Sequence, residues 1–383
     1  MNMSKILKYF LVNFPELAED MQKCNHHVDI SSPNSYHIGE DILAHTLLVA
    51  KMSTINSNNR INNISALLHD LGKPLSSQIH KKDSLKKTFY GHEGLSFYLA
   101  IEVLNKMMSD DIITRNEMKQ ILTIISLHGS LFDRIKDGEM YKPDKIFDMF
   151  DDVDTFSYFV NQVKNDYQGR FYESEDKVDV SNKLGISLFT KEQFMGRLFI
   201  RNKKPHIKKD RTINVLVGIS NVGKSTYLEK QNLENTIVIS RDSVLMNYAK
   251  DNNIIGTRIK STNCDKGYFI VANYNQVWNI LTDKQQKEID SLLQKSFQLA
   301  VKDNKNIIID MTNVSIKSRR KWLGNVKPNY EKIAILFVTS YNEVIRRNNM
   351  RLGKKIPYYV IKNKASGFNI PTYAEVDTIE WVF

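Results

Sequence analysis

The chain has 383 residues, 42% hydrophobic and 10% aromatic, with a formal net charge of +11. This composition excludes a disordered polymer and leaves room for two domains with proper cores. The two cysteines, Cys24 and Cys264, lie far apart and argue against a disulfide framework, and no run approaches the roughly 18 apolar residues of a membrane span.

In chain order, residues 1–17 carry Lys5 and Lys8 among short apolar pieces. They read as an amphipathic helix, because a signal peptide needs a continuous apolar core and a small-residue cleavage site. The expectation is a cytoplasmic protein without membrane association. Apolar residues at helical spacing predict helices over 41–53, 61–71, 95–108, 117–127 and 156–167. The lysine-rich stretch 75–88 reads as a loop, and the acidic run 142–154 as a solvated helix face.

Histidines punctuate this helical region in apolar company. His45 lies in Leu43-Ala44-His45-Thr46-Leu47, and His69-Asp70 in Leu67-Leu68-His69-Asp70-Leu71-Gly72-Lys73. His92 follows Tyr90-Gly91, His128 follows Ile125-Ser126-Leu127, and Asp166 lies in Asn165-Asp166-Tyr167. Imidazole and carboxylate ligands from separate helices suit a divalent metal that activates water. His69 and Asp70, adjacent on one predicted helix and about 100° apart, can both lean toward one ion. This order and context resemble the HD superfamily of metal-dependent phosphohydrolases. The resemblance implies His45, His69, Asp70, His92, His128 and Asp166 as metal ligands, with Asp70 also catalytic and Lys73 a substrate contact. The ion would be Mn, Ni, Co, Zn or Fe. His37 is a further candidate.

The charge is uneven. Residues 1–190 carry 21 Lys and Arg against 26 Asp and Glu, a net of −5; residues 191–383 carry 33 against 17, a net of +16. Arg197, Arg201, Lys203, Lys204, Lys208, Lys209 and Arg211 form a basic cluster opposed only by Asp210. A basic half suggests a polyanionic partner, and this cluster reads as a linker over 191–211 that contacts nucleic acid or is simply solvated.

From 213 the pattern alternates. Short β-branched runs at 213–217, 236–240, 306–310 and 333–338 are separated by helical stretches, which predicts βαβ units and a parallel sheet. After the first run comes Gly218-Ile219-Ser220-Asn221-Val222-Gly223-Lys224-Ser225-Thr226, a match to G-x-x-x-x-G-K-[ST]. The glycines let the backbone approach phosphate oxygens, and the amides face anions from a helix N-terminus. The nucleotide contacts are therefore Gly218, Ser220, Asn221, Gly223, Lys224, Ser225 and Thr226, with Lys224 on the β- and γ-phosphates and Ser225 on Mg²⁺. Asp242, after the second strand, faces the crevice where ligands bind in open α/β sheets and is placed to take a proton from an attacking hydroxyl. Asp310-Met311-Thr312-Asn313 ends the third run. Arg347 and Arg351, four apart, share a helix face that can close over nucleotide phosphates.

Together these pieces resemble the P-loop polynucleotide 5′-kinases of end-healing RNA and DNA repair. That resemblance implies ATP or another NTP with Mg²⁺ as donor and Asp242 as general base. It implies Lys224, Arg347 and Arg351 on the transferred phosphoryl group, and Asp310, Thr312 and Asn313 positioning acceptor or phosphates. Phage members carry an arginine three residues after the base, where this chain has Leu245; Arg241 or Arg258 is then the candidate acceptor contact. The whole chain resembles the bifunctional HD-domain polynucleotide kinases. The implied organisation is an all-α phosphohydrolase domain over 1–190, the linker over 191–211, and an α/β P-loop kinase domain over 212–383. The implied activity is removal of 3′-terminal phosphate (2′,3′-cyclic, 2′ or 3′) and phosphorylation of a 5′-hydroxyl on RNA or DNA ends, ahead of a separate ligase. Two other readings stay open: a nucleotidase joined to a small-molecule or nucleoside kinase, and a non-catalytic, nucleotide-gated RNA-binding protein.

Overall fold

The structure, a computed structural model, describes residues 2–28, 40–130, 144–170, 190–202, 208–252, 254, 274–351 and 354–383, with the backbone also at 135–136, 139–140, 259–260 and 269–270. His37, Lys203, Lys204, Arg258 and Cys264 lie outside the described residues. The chain divides into two compact units. One comprises Met1–His206, Val338–Asn342 and Lys362–Glu375; the other comprises Ile207–Phe337, Glu343–Ile361 and Val376–Phe383.

The first unit is helical. Its centre is the helix Arg60–Leu68, in which every residue from Ile61 to Leu68 is buried. Two of its buried polar side chains tie it to neighbouring helices. Asn62 donates to the Tyr158 carbonyl at 2.7 Å and Asn63 accepts from the Ser53 hydroxyl at 2.8 Å. Around it pack Ile42–Asn56, Arg115–Leu127 and Val153–Gln168. Asp41 and Asp152 cap two of these helices through the amides of Ala44 and Thr155, both at 2.7 Å, and Thr114 and Glu117 form a reciprocal capping box on the third. The helix His92–Ser109 begins at Gly91, whose φ of +76° favours glycine.

Several expectations change here. The N-terminal helix is two helices, Met3–Asn13 and Pro15–Gln22, because Pro15 cannot supply an amide to continue the first. The predicted helix over 61–71 ends at Leu68, so His69 caps it and Asp70 lies in the turn beyond. The stretch read as a loop holds a short helix, Lys73–Ser76, and a hairpin of β1 (Gln78–His80) and β2 (Asp83–Thr88); its exposed lysines hid the strand pattern. A two-residue pair, β3 (Ile135–Lys136) and β4 (Glu139–Met140), follows.

The segment read as a basic linker is, through Asn202, the helix Lys191–Asn202. Phe194 is buried in a stack on Phe156, with centroids 4.6 Å apart. Arg197 grips Asp148 at 2.6 and 2.9 Å and reaches Asp144 at 3.5 Å, and Arg201 donates to the Phe150 carbonyl at 2.9 Å. Part of the basic cluster and part of the acidic run neutralise each other, so Asp144 and Asp148 are not merely solvated. Farther on, Lys209 pairs with Asp377 at 2.5 Å, and Arg211 donates to the Asn304 carbonyl at 2.5 Å.

The second unit is built on a five-stranded, all-parallel sheet. Its strands are β5 (Arg211–Val217), β6 (Thr236–Ser240), β9 (Asn306–Asp310), β10 (Tyr330–Phe337) and β11 (Thr378–Val382), in the order β11-β10-β5-β9-β6. A separate two-residue pair, β7 (Ile259–Lys260) and β8 (Phe269–Ile270), stands apart from it. The four predicted strands are all present, and β11 was not anticipated. In β5 and β9, Val215, Leu216, Val217, Ile307, Ile308 and Ile309 are buried, as expected where helices cover both faces. The registers align three strand ends, with Ser240 opposite Asp310 and Val215 opposite Ile309. Among the described residues, no helix is long and apolar enough to cross a membrane.

Asn313 is a structural part of this edge. It is buried at φ +45°, and its side-chain amide donates to the carbonyls of Leu216 at 2.9 Å and Ile309 at 3.2 Å, tying β5 to β9. Its side chain is thus committed to the main chain and is not directed at an acceptor. Asn313→Ala should cost about 1–3 kcal/mol, the usual penalty for buried carbonyls left without donors. Chemical denaturation of the full chain checks this; an unchanged unfolding transition would remove Asn313 from this role.

Candidate functional sites

The six candidate ligands of the helical unit converge. His45 comes from the helix Ile42–Asn56, His69 and Asp70 from the end of the central helix, His92 from the first turn of His92–Ser109, His128 from the end of Arg115–Leu127, and Asp166 from Val153–Gln168. Five of them are essentially buried and His92 is nearly so.

Hydrogen bonding fixes the imidazoles. The Nδ1 atoms of His45, His69, His92 and His128 lie 3.1, 2.9, 2.9 and 2.7 Å from the carbonyls of Gly169, Ala66, Phe89 and Ile125. A carbonyl only accepts, so each Nδ1 carries a proton and each ring turns its Nε2 inward. Those Nε2 atoms face acceptors. His92 Nε2 stands 3.1 Å from His128 Nε2. His45 Nε2 lies 3.5 Å from Asp70 Oδ2 and 3.2 Å from Asp166 Oδ1, and His69 Nε2 lies 3.1 and 3.9 Å from the same oxygens. Asp70 Oδ1 faces His92 at 3.3 Å and His128 at 3.8 Å.

A cation among these atoms would satisfy the inward Nε2 atoms and the carboxylate oxygens together. With metal–nitrogen bonds of about 2.0–2.1 Å, neighbouring ligand atoms in a coordination sphere stand about 3.0–3.4 Å apart, close to the spacings seen here. Three overlapping groups each bring their ligand atoms within 4.8 Å: His45, His69 and Asp70; His69, His128 and Asp166; and Asp70, His92 and His128. The donor set fits a divalent transition ion. The carbonyl partners of Nδ1 are the outer-shell bonds that orient metal-bound histidines.

The electrostatics agree. Burial alone would raise Asp70, but His69 and Lys73 outweigh it and hold its carboxyl well below the usual range. Burial would raise Asp166 too, and Arg170 with His45 reverse the sign. Burial, His92 and His69 push His128 down to about 4, so it stays a neutral donor near pH 7.

Two further residues belong to this site. Lys73, expected as a substrate contact, is buried, with Nζ 2.7 Å from Asp70 Oδ2 and 3.1 Å from His26 Nε2. It steadies Asp70. His26 itself was not foreseen, because Cys24-Asn25-His26-His27 gives no apolar helical context. Gly72 has a packing reason: a Cβ there would come within 2.2 Å of the His92 carbonyl and 2.6 Å of the Ser96 amide nitrogen.

In the sheet unit the phosphate loop leaves β5 and enters the helix Lys224–Glu229. Gly223, at φ +110°, takes a conformation that a side chain would oppose, and Asn221 adopts φ +68°. The Gly218 amide donates to the Thr312 carbonyl at 2.9 Å, seating the loop on the turn after β9. Ser220 is half-buried, and Ser225 and Thr226 are exposed at the helix start, where a hydroxyl can meet Mg²⁺. Lys224 Nζ donates to the Gly218 and Ile219 carbonyls, both at 2.8 Å. Burial pushes its pKa down to about 8, with Asp310 pulling the other way. Burial also raises Asp310, against the pull of Lys224.

Arg347 and Arg351 do reach the loop. Arg347 Nη1 donates to the Asn221 carbonyl at 3.3 Å, and Arg351 Nη1 to Asn221 Oδ1 at 2.9 Å. Asn348, not foreseen, is buried between them. It accepts from the Asn221 amide at 3.1 Å and from the Ile356 main-chain amide at 3.0 Å, and donates to the Ile356 carbonyl at 2.8 Å. Asp242 opens the helix Arg241–Asp251 and is ion-paired to Lys354, also unforeseen. Arg241 is held by Asp290 at 3.0 Å, with its guanidinium 4.8 Å from the centre of the Trp278 ring. Leu245 is fully buried against Ala249, Val277, Leu281 and Ile289, a position with no room for an acceptor-binding arginine.

Residues 213–363 match a family model described as an AAA domain. No curated protein matches this sequence. With the strand–loop–helix geometry, the match defines a P-loop kinase-like, nucleotide-binding domain.

Two outcomes follow. His69→Ala and Asp70→Ala should lose bound divalent metal in elemental analysis, and Gly72→Ala should weaken retention about 10–100-fold by displacing His92, in the range known for outer-shell changes; wild-type metal content in Asp70→Ala would contradict the assignment. At pH 8.5 unliganded Lys224 is mostly neutral, whereas a bound triphosphate favours its ammonium form. Nucleotide binding should therefore take up a proton at pH 8.5 and much less at pH 7. Calorimetry in buffers of different ionisation enthalpy reads this, and identical apparent enthalpies at pH 8.5 would contradict it.

Proposed function

We propose that this chain heals broken polynucleotide ends: the sheet unit phosphorylates a 5′-hydroxyl, and the helical unit hydrolyses phosphate from the opposite, 3′ end. The observation that carries the first half is the convergence of the phosphate loop, Asp310 and Asp242 at the ends of three adjacent parallel strands, with Arg347 and Arg351 on the loop. The basic balance of residues 191–383 favours a polyanionic acceptor over a small one.

In the kinase step the acceptor 5′-oxygen attacks the γ-phosphorus of ATP. The bond from that phosphorus to the β–γ bridging oxygen breaks, ADP leaves, and the hydroxyl proton passes to the Asp242 carboxylate. Lys354 holds that carboxylate in place by its ion pair. Lys224, Arg347 and Arg351 spread the charge of the transferred group, and positioning with electrostatics supplies most of the catalysis in such reactions. Ser225 would hold Mg²⁺, with Asp310 beside Lys224 at the strand end.

In the helical unit, His45, His69, Asp70 and Asp166 would hold one divalent ion. Asp70, His92 and His128 would hold a second, with one Asp70 oxygen toward each group. When bound, such ions polarise a phosphoryl oxygen and make water more acidic. Lys73 keeps Asp70 ionised, and the main-chain carbonyls keep the four imidazoles in the donor tautomer. Metal-assisted RNA cleavage leaves a 2′,3′-cyclic phosphate and a 5′-hydroxyl, whereas a ligase needs a 3′-hydroxyl and a 5′-phosphate. One chain with both units makes that conversion.

The test is an RNA oligomer with a 5′-hydroxyl and a 2′,3′-cyclic phosphate, incubated with ATP, Mg²⁺ and Mn²⁺, Ni²⁺ or Co²⁺, with both ends analysed. Asp242→Ala should lower 5′-phosphorylation ~10²–10⁴-fold, the usual cost of a lost general base, and Lys224→Ala at least as much. His69→Ala should abolish 3′-end hydrolysis and spare the kinase. Phosphorylation of free nucleosides in preference to the oligomer would point instead to a small-molecule kinase.

A further inference from the structure

One cluster in the sheet unit has no role in phosphate transfer itself. Tyr274 and Trp278, four residues apart on the helix Tyr274–Ile280, stack with centroids 6.1 Å apart and planes 17° from parallel. Val277, on another face, is buried in the Leu245–Ala249 cluster and anchors the helix, and Tyr274 packs partly against that cluster. Trp278 remains 37% exposed. Each ring carries a cation. Lys354 Nζ stands 3.9 Å from the Tyr274 centroid, and the Arg241 guanidinium lies 4.8 Å from that of Trp278. Both cations adjoin the proposed general base, Lys354 by its ion pair with Asp242 and Arg241 by sequence.

We infer that the Tyr274–Trp278 pair is the stacking platform for the terminal nucleobase of the polynucleotide acceptor, with Arg241 and Lys354 as its cationic flanks. This inference rests on the kinase reading above and assigns its acceptor site. The terminal base of a strand is one sugar away from its own 5′-oxygen, and the rings are one ammonium away from the carboxylate that takes the proton of that oxygen. Aromatic rings bind any base by its π-face, and cations beside them match the phosphates that follow. Arg241, predicted from sequence as an acceptor contact, acts here by flanking Trp278, with Asp290 fixing its orientation.

The test is steady-state phosphorylation, by the full chain, of 5′-hydroxyl RNA oligomers whose terminal nucleotide is either normal or abasic. Stacking on one aromatic ring is worth roughly 5–150-fold in binding, so Trp278→Ala should raise the oligomer KM about tenfold. The kcat at saturating oligomer and the KM for ATP should stay near wild type, and Trp278→Phe should restore most of the loss. The abasic oligomer should cost the wild-type protein a similar factor and cost Trp278→Ala nothing more. A wild-type oligomer KM in Trp278→Ala, an abasic penalty as large in the variant as in the wild type, or an equal fall of kcat in both variants would overturn the platform while leaving the kinase reading intact. Failure of the wild-type protein to phosphorylate any oligomer, with another acceptor taken, would overturn the kinase reading and the platform together.

Discussion

Asp70 is a carboxylate buried in a helical core, and that core is arranged around it. An unpaired buried charge costs several kcal/mol even after relaxation, so every element near it contributes something that tolerates a negative group. Lys73 supplies the direct ion pair. Four imidazoles approach with their Nδ1–H groups donating to main-chain carbonyls, which leaves Nε2 turned inward. Asp166 adds a second negative charge, balanced in part by Arg170 at 3.5 Å. A core built only for stability would not gather two carboxylates and four imidazoles in one place, because each buried polar group raises the cost of the next. The arrangement suits divalent cations, with Asp70 facing both groups of ligands.

The sheet unit solves a different problem with simpler means. Its parallel strands end together, and in such sheets the ligand crevice lies beyond the carboxyl ends. Asn313 and the Gly218–Thr312 contact lock β5 and β9 at that edge, so the phosphate loop has a rigid seat. Asn221 then gathers Arg347, Asn348 and Arg351 onto the loop. Two arginines four residues apart on one helix face both meet this asparagine, which sits at positive φ.

Much of this was legible in the sequence where local pattern and chemistry coincide. The phosphate loop declares itself through glycine and lysine spacing, and the strands through β-branched runs. His45, His69 and His128 stand out because imidazoles are unusual among leucines and isoleucines. What escaped depends on partners distant in the chain. His26 sits in a polar tetrapeptide and gains meaning only beside Lys73, 47 residues on. Arg197 stands in a basic cluster, and its pairing with Asp148, 49 residues earlier, is announced by no local spacing. Lys354 meets Asp242 across 112 residues, and no local spacing announces the pair. The β1–β2 hairpin was hidden by exposed lysines, and β11 by its shortness. The resemblance implies a positioning role for Asn313, yet its burial turns its amide onto main-chain carbonyls.

The inward-facing Nε2 atoms and the Asp70 and Asp166 oxygens are the candidate divalent-cation site. The most direct measurement is X-ray absorption spectroscopy on the purified full chain loaded with Mn²⁺, Co²⁺, Ni²⁺ or Zn²⁺ and dialysed at neutral pH. The account predicts retained metal with a mixed imidazole and carboxylate shell, at about 2.0–2.2 Å for zinc. A chain that keeps no metal after dialysis, or whose metal shell contains no imidazole, would contradict it.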